Sequence, residues 1–306
     1  VAYGYGLFTG GFGAHYGGQA VGAVVLPVSS GNTHRQLETM VDFGTTALAC
    51  TPSYALYIAE YAAAHGVDPT TLPLRAGFFG AEPWSLEMRG EIERRLGIKA
   101  FDIYGLTEII GPGVGSECPC QDGLHIFEDH FYPEIVDPDT GAPVPDGERG
   151  ELILTTLTRE GTPVLRYRTR DITYLMPEPC ACGRTSRRIH RLMGRTDDML
   201  IVRGVNVFPQ QIEQVLLRVA DVEPHYRIIV DRDGSMDTLT VEVEMSESLF
   251  SDDLGDVLAL ERAIERELHA ETGIQARCVL VNPQTIERSV GKAKRVFDRR
   301  KVTTHV

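Results

Sequence analysis

From Thr46 to Glu108 short apolar runs alternate with helix-like stretches, and that alternation restricts the chain to a parallel, helix-covered sheet. Thr46 to Cys50 and Leu74 to Phe79 read as strands, the second closing on Gly80-Ala81-Glu82-Pro83. Ser53 to His65 reads as a helix capped by Ser53 and stopped at Gly66, and Ser85 caps a further helix reaching Leu96. A helix is also expected from about Arg35 to Phe43, and Ala20 to Val28 is expected to be a buried strand. The last apolar run, Ala100, Phe101 and Ile103, is expected to break at Tyr104-Gly105, with Thr107 and Glu108 next. A hydroxyl and a carboxylate just past a strand end suit phosphate and a divalent ion, because open α/β sheets bind ligands there. Before these elements, Tyr3 to Tyr16 interleaves five glycines with aromatics, which fits either a flat apolar pocket or a structural turn.

After Glu108 the texture changes. Gly111 to Asp122 reads as a Gly/Pro/Cys loop, and Ile126 to Val136, Glu151 to Thr156 and Val164 to Tyr167 read as strands of a β subdomain. Gly194 to Gly204 marks a boundary. Beyond it, a helix at Pro209 to Val219, paired strands at Tyr226 to Val230 and Thr238 to Met245, a helix at Asp253 to Thr272 and a strand at Cys278 to Val281 fit a small α+β domain. The expected class is therefore α/β: a large N-terminal α/β domain with a β subdomain over residues 1–194, and a small α+β domain over 195–306. A chain of 306 residues suits one large and one small domain.

A formal charge of −13 argues against nucleic acid and anionic membrane as partners. No run of about 18 apolar residues indicates a membrane span. A polyanionic ligand needs a local basic cluster, and two are present, Arg184 to Arg195 and Lys292 to Lys301. Of the six cysteines, Cys50 and Cys278 lie in apolar strand contexts. Cys118 and Cys120 form CPC, Cys180 and Cys182 form CAC, and His125 is near. Two such clusters suit a tetrahedral structural zinc held by Cys118, His125, Cys180 and Cys182, with Cys120 as the spare.

FDIYGLTE at Phe101 to Glu108, GELILTTLTREGTPVLRYRTRD at Gly150 to Asp171, GRTDDMLIVRGVNVFPQQIE at Gly194 to Glu213 and RSVGKAKRVFD at Arg288 to Asp298 occur in this order. Together they resemble the adenylate-forming superfamily of acyl-CoA synthetases. YGYGLFTGGFGAHYGG, ACTPSYAL, GAEPW and EDHFYPEIVDPDTG make the resemblance closest to the phenylacetate-CoA ligase family, over essentially the whole chain. That resemblance implies an aryl acid, most readily phenylacetate, attacking the α-phosphate of ATP, after which CoA thiolate displaces AMP.

The resemblance also implies roles. Glu108 would hold Mg²⁺ and Thr107 would bond the α-phosphate. Asp102, Tyr104 and Gly105 would meet adenine, and Gly80, Ala81, Glu82 and Pro83 would line the adenine and acyl sites with backbone. Asp171 would take the ribose hydroxyls and Arg195 the ribose or phosphate. Tyr3, Phe8, Gly80, Ala81, Ile103 and Pro112 would wall the aryl pocket. Asp197 would be the hinge of a mobile C-terminal domain, and Lys292, rather than Lys294, would reach the α-phosphate.

The family's phosphate loop lies upstream of the aromatic-glycine segment, and here that segment opens the chain. SSGNT at Ser29 to Thr33 lacks the lysine such a loop carries. The expectation is a fragment whose parent is the ligase and which is weak alone. The other readings are a ligase for a benzoate-type or natural-product aryl acid, and a non-catalytic nucleotide-binding module. Expected partners are the aryl acid, ATP and CoA, in the cytoplasm, with a homodimer as one assembly to test.

Overall fold

The structure, a computed structural model, describes residues 1–6, 8–219, 221–233, 236–250, 254–289 and 291–300. The chain divides into two compact units. The first comprises the described residues of Val1–Pro83, Arg89–Asp197 and Val290–Lys292; the second, those of Trp84–Met88, Asp198–Ser289 and Ala293–Val306.

The first unit opens with helices α1 (Thr9–Ala20) and α2 (Thr33–Asp42), strand β1 (Ala47–Cys50), helix α3 (Pro52–Ala64), strand β2 (Ala76–Phe79), the part of helix α4 (Leu86–Leu96) from Arg89 on, and strand β3 (Lys99–Leu106). β1, β2 and β3 pair in parallel, as the alternation of elements requires. Thr51, two residues earlier than the expected Ser53, caps α3 by accepting the Tyr54 N–H, and Ser85 accepts the Met88 N–H at 3.1 Å. β4 (Gly111–Ser116), β5 (Leu124–Ile126), β9 (Leu175–Met176) and β10 (Arg188–Ile189) extend the sheet by antiparallel pairing, in the order β1-β2-β3-β4-β5-β10-β9. A second sheet, β11-β8-β7-β6, contains β6 (Phe131–Val136), β7 (Gly150–Thr156), β8 (Tyr167–Thr173) and β11 (Gly194–Arg195). Ile109, Ile126, Leu152 and Leu154 are wholly buried in the core of this region, each contributing about 1.5–3 kcal/mol of burial.

In the second unit, β12 (Leu200–Val202) pairs with β13 (Val205–Val207). A four-stranded sheet in the order β16-β15-β14-β17 holds β14 (Val222–Asp233), β15 (Met236–Met245), β16 (Arg277–Val281) and β17 (Val296–Asp298). Helices α5 (Pro209–Arg218) and α7 (Leu254–Thr272) contribute Ile212, Leu216, Ile264 and Leu268 to its core, and α6 is Glu247–Phe250. Glu265 and Glu261 on α7 accept the Cys278 and Leu280 N–H groups, so the edge strand β16 is capped by carboxylates. The expected basic tail is in part β17, parallel to β14. Asp253 and Lys301, at the ends of two expected segments, lie outside the described residues.

Several expectations change. Ala20–Val28 forms no strand: Val21 and Val24 are 83% and 90% exposed, and an apolar run without a pairing partner stays irregular. The aromatic-glycine stretch becomes α1 from Thr9 onward, because its glycines serve close packing rather than a turn; a Cβ on Gly13 would sit 2.5 Å from the Pro112 ring of β4. β3 does not break at Tyr104-Gly105 but bulges there and runs on to Leu106. The first half of the 111–122 loop is β4, and the strand expected at Val164 starts at Tyr167. Arg187, Arg188, Arg191 and Arg195 each face a carboxylate, on Glu128, Asp122, Asp102 and Asp171, so that basic cluster is neutralised internally.

Candidate active site and metal centre

The carboxyl end of β3 opens onto a cavity of about 280 Å³ in the first unit. Ile103, Gly105, Leu106 and Thr107 form its floor, Tyr3 and Phe8 one wall, and Gly111 and Pro112 of β4 another. Thr9, Gly10, Ala81, Arg195 and Lys292 complete the lining. Tyr3 is buried, its ring centroid 6.1 Å from that of Phe8. Of the six aryl-pocket candidates only Gly80 is missing from the lining. It lies just behind, where a Cβ would meet the Ile103 carbonyl oxygen at 2.2 Å, so only glycine lets β2 end this close to β3. Ala81 holds φ at +70°, a conformation non-glycine residues adopt only when their surroundings force it. Glu82 is buried and accepts the Ser53 N–H at 2.7 Å, and Pro83 follows.

The polar groups are bonded to one another. Tyr104 donates its hydroxyl to Asp171 Oδ2 at 2.6 Å, and Arg195 donates to Asp171 Oδ1 at 3.0 Å. Arg195 also grips Asp197 through two contacts of 2.9 Å. Burial raises the Asp171 carboxyl above its usual value, opposed by the bonds from Tyr104 and Arg195. The Arg195 hydrogen bonds hold Asp197 below its usual value. Asp102 lies 3.8 Å from the Arg191 guanidinium. Thr107 Oγ1 is 3.2 Å from Thr9 Oγ1, a cavity residue sequence reasoning passed over; its signal was a hydroxyl amid the glycines of the opening stretch. Glu108 is exposed, its backbone carbonyl taking Arg159, and its carboxylate makes no ion pair among the described residues, which fits a hard cation beside Thr107. Lys292 reaches the cavity, whereas the Lys294 ammonium sits 5.1 Å over the Phe297 ring.

A second cluster gathers Cys118, His125, Cys180 and Cys182, whose donor atoms all lie within 4.8 Å of one another. The sulfurs of Cys118 and Cys180 are 3.6 Å apart, and Cys182 Sγ is 3.4 Å from His125 Nε2. A zinc tetrahedron with bonds of about 2.3 Å to sulfur and 2.0 Å to nitrogen has edges of roughly 3.8 and 3.5 Å. His125 Nδ1 is 3.2 Å from Ser186 Oγ, which turns Nε2 toward the thiols. Burial pushes the Cys118 thiol up to about 12, whereas the Arg184 backbone N–H brings Cys182 down to about 7. Cys120 is exposed and stands outside the cluster.

The AMP-binding enzyme family model matches residues 3–157, and that of the AMP-binding enzyme C-terminal domain matches 204–300. The chain is 50% identical over 304 residues to the phenylacetate-coenzyme A ligase of Escherichia coli (strain K12), covering 99% of this chain and 69% of that protein. It is 48% identical to the phenylacetate-coenzyme A ligase of Thermus thermophilus, covering 98% of this chain and 71% of the relative. A solved 2-hydroxyisobutyryl-CoA ligase in the postadenylation state, in complex with R3-HIB-AMP, superposes with a TM-score of 0.93 at 30% identity. That superposition takes in 99% of this chain and 65% of the ligase chain, so the protein described here spans just under two thirds of it. No helix among the described residues is long and apolar enough to cross a membrane. The chain belongs to the phenylacetate-coenzyme A ligase family of AMP-binding enzymes, whose chemistry is the ATP-dependent joining of CoA to phenylacetate.

Proposed function

We propose that the protein activates phenylacetate in the cavity at the end of β3 and passes it to CoA. The observation that carries the reading is one small space holding aromatic walls (Tyr3, Phe8), a hydroxyl (Thr107) and two cations (Arg195, Lys292). At about 280 Å³ it is at the small end of ligand sites, which favours a compact aryl acid over a long acyl chain.

In the first step a carboxylate oxygen of the acid attacks the α-phosphorus, and the bond to the bridging oxygen breaks to release pyrophosphate. Thr107 bonds the α-phosphate, Lys292 offsets the charge that spreads over its oxygens, and Asp171 takes the ribose hydroxyls. Arg195, already held by Asp171 and Asp197, orients toward ribose or phosphate. Asp102, Tyr104 and Gly105, with the backbone of Gly80 to Pro83, meet the adenine. Mg²⁺, when bound at Glu108, supplies charge neutralisation to the phosphate oxygens. In the second step the CoA thiolate attacks the acyl carbon, forming the C–S bond as the bond to AMP breaks. Asp197 is the hinge between steps, a reading supported by its place at the end of the first compact unit.

Cys118, His125, Cys180 and Cys182 hold a structural zinc, supported by a donor spacing that suits a tetrahedral ion. Its chemistry is folding. Cytoplasmic placement follows from the need for ATP, CoA and reduced thiols. A homodimer is the assembly to check by sedimentation. ATP–pyrophosphate exchange tests the central reading: the full protein should exchange with phenylacetate, more weakly with benzoate, and least with long alkyl acids. Exchange stimulated by none of these acids overturns it.

A further inference from the structure

The metal cluster and the site strand are not separate. The outer edge of β3 is paired with β4 at Ile103 and Tyr104, through Ser116 and Gly115. Below these residues β4 has turned away toward Cys118, and regular pairing stops. Two side chains of the departing loop take over. Glu117 is buried, accepts the Asp102 N–H on Oε2 at 2.8 Å, and donates its own N–H to the Asp102 carbonyl at 3.0 Å. Gln121 donates Nε2 to the Ala100 carbonyl at 2.9 Å and to Glu93 on α4 at 2.9 Å. Glu93 in turn accepts the Ala100 N–H at 2.9 Å. The Glu117 carboxylate would be an expensive buried charge alone, but Arg89 on α4 lies 2.6 Å from both of its oxygens. One loop, from Glu117 to Gln121, thus fills the hydrogen-bonding edge of β3 at Ala100 and Asp102, and Cys118 lies within that loop.

We infer that the metal centre positions β3 through this loop, so that Glu117 and Gln121 are positioning residues linking metal occupancy to nucleotide affinity. A loop whose Cys118 is clamped to Cys180, Cys182 and His125 keeps the Glu117 carboxylate in register with Asp102. A loop released from the metal loses that register, and Asp102, two residues before Tyr104, moves with it. The coupling rests on the zinc and nucleotide readings above, but its physical core, the bonding of a metal loop to a strand edge, stands without catalysis.

Amide hydrogen exchange of the 99–106 segment, read in the zinc-loaded protein and after chelation, tests the coupling directly. Chelation should speed exchange at Asp102, whose N–H depends on Glu117, well before the amides of β7 respond. Equal acceleration in both strands, or none at Asp102, overturns the inference. Glu117→Gln and the milder Gln121→Ala should each keep full zinc content while raising the KM for ATP about tenfold, with kcat far less changed. Cys182→Ser should lose zinc and show the same KM change, and adding Gln121→Ala to it should add little. Additive effects, or an unchanged KM in a zinc-loaded Gln121→Ala protein, sink the proposal. Absence of ligase activity in the full protein would refute the functional reading and leave the exchange result to decide this one.

Discussion

The cavity and the metal centre lie in the same compact unit and are built on opposite plans. At the cavity Arg195 is bonded to Asp171 and Asp197, and Asp171 in turn to Tyr104, three residues that lie outside the lining. On the function proposed above, these bonds would be exchanged for bonds to the nucleotide, one hydrogen bond replacing another. In the metal centre two thiols and an imidazole are joined by a third thiol, and their donor atoms converge on one point. Donors gathered this closely suit one strong partner, the zinc proposed above. The difference separates a site made to trade partners from a site made to keep one.

The largest effect should come from the site that keeps its partner. Cys118→Ser removes a buried ligand, and loss of a structural metal belongs among the few changes worth ~4 kcal/mol or more. Zinc per chain should fall to near zero and thermal unfolding should move sharply down. Cys120→Ser, on an exposed thiol in the same CPC pair, should leave both unchanged. A Cys120→Ser protein that loses its metal while Cys118→Ser keeps it would reverse the assigned ligand set.

On the cavity side, Lys292→Ala should leave folding intact and slow acid-dependent pyrophosphate exchange by about 10²-fold or more, the scale of losing one charge aimed at a transition state. Thioester formation from preformed acyl-adenylate should change less, because the α-phosphate charge no longer develops there. Lys294→Ala, whose ammonium covers Phe297 instead, should have a small effect on both. Equal losses for the two lysines would erase the distinction drawn from their positions.

What could be read from the sequence divides along similar lines. The cysteines and His125 were legible because metal ligation depends on residue type and rough spacing, and the chain leaves few other choices. The presence of β3 was legible because the apolar run before Thr107 and Glu108 has room only for a strand, but its end was not, since the strand bulges at Tyr104-Gly105 and runs on to Leu106. Glu117 was illegible: its identity as an acid says nothing until Arg89 and the Asp102 N–H are seen around it. Ala20–Val28 was misread because strand propensity describes fit to a partner, and no partner is encoded in the run itself. The opening stretch reads as a pocket wall or a turn; Tyr3, Phe8 and Gly10 do line the cavity, whereas helix α1 is not legible in it. Glycine is a poor helix former, but in Gly13 it serves the approach of a helix to Pro112, a tertiary demand that overrides propensity.

The smallest effect is the most discriminating. Burial raises the Asp171 carboxyl in the folded chain, so the folded state holds that proton more tightly than the unfolded one does. The associated stability is complete below the unfolded value, near 3.8, and is lost as pH rises through the higher folded value. At neutral pH the ionised Asp171 therefore works against folding, a cost that the proposed role in binding ribose would explain. Asp171→Asn should stabilise the protein at pH 7, since a neutral isostere avoids burying the charge while Arg195 keeps Asp197. The gain should shrink as pH falls through the raised folded value, below which the wild-type carboxyl is itself neutral. The same variant should bind ATP more weakly, because an amide offers the ribose hydroxyls one acceptor where a carboxylate offers two. Thermal unfolding across pH, paired with nucleotide titration, reads both. A variant that is less stable at every pH would mean that the Tyr104–Asp171–Arg195 network is structural and does not trade its partners, and the contrast with the metal centre would fail at its central residue.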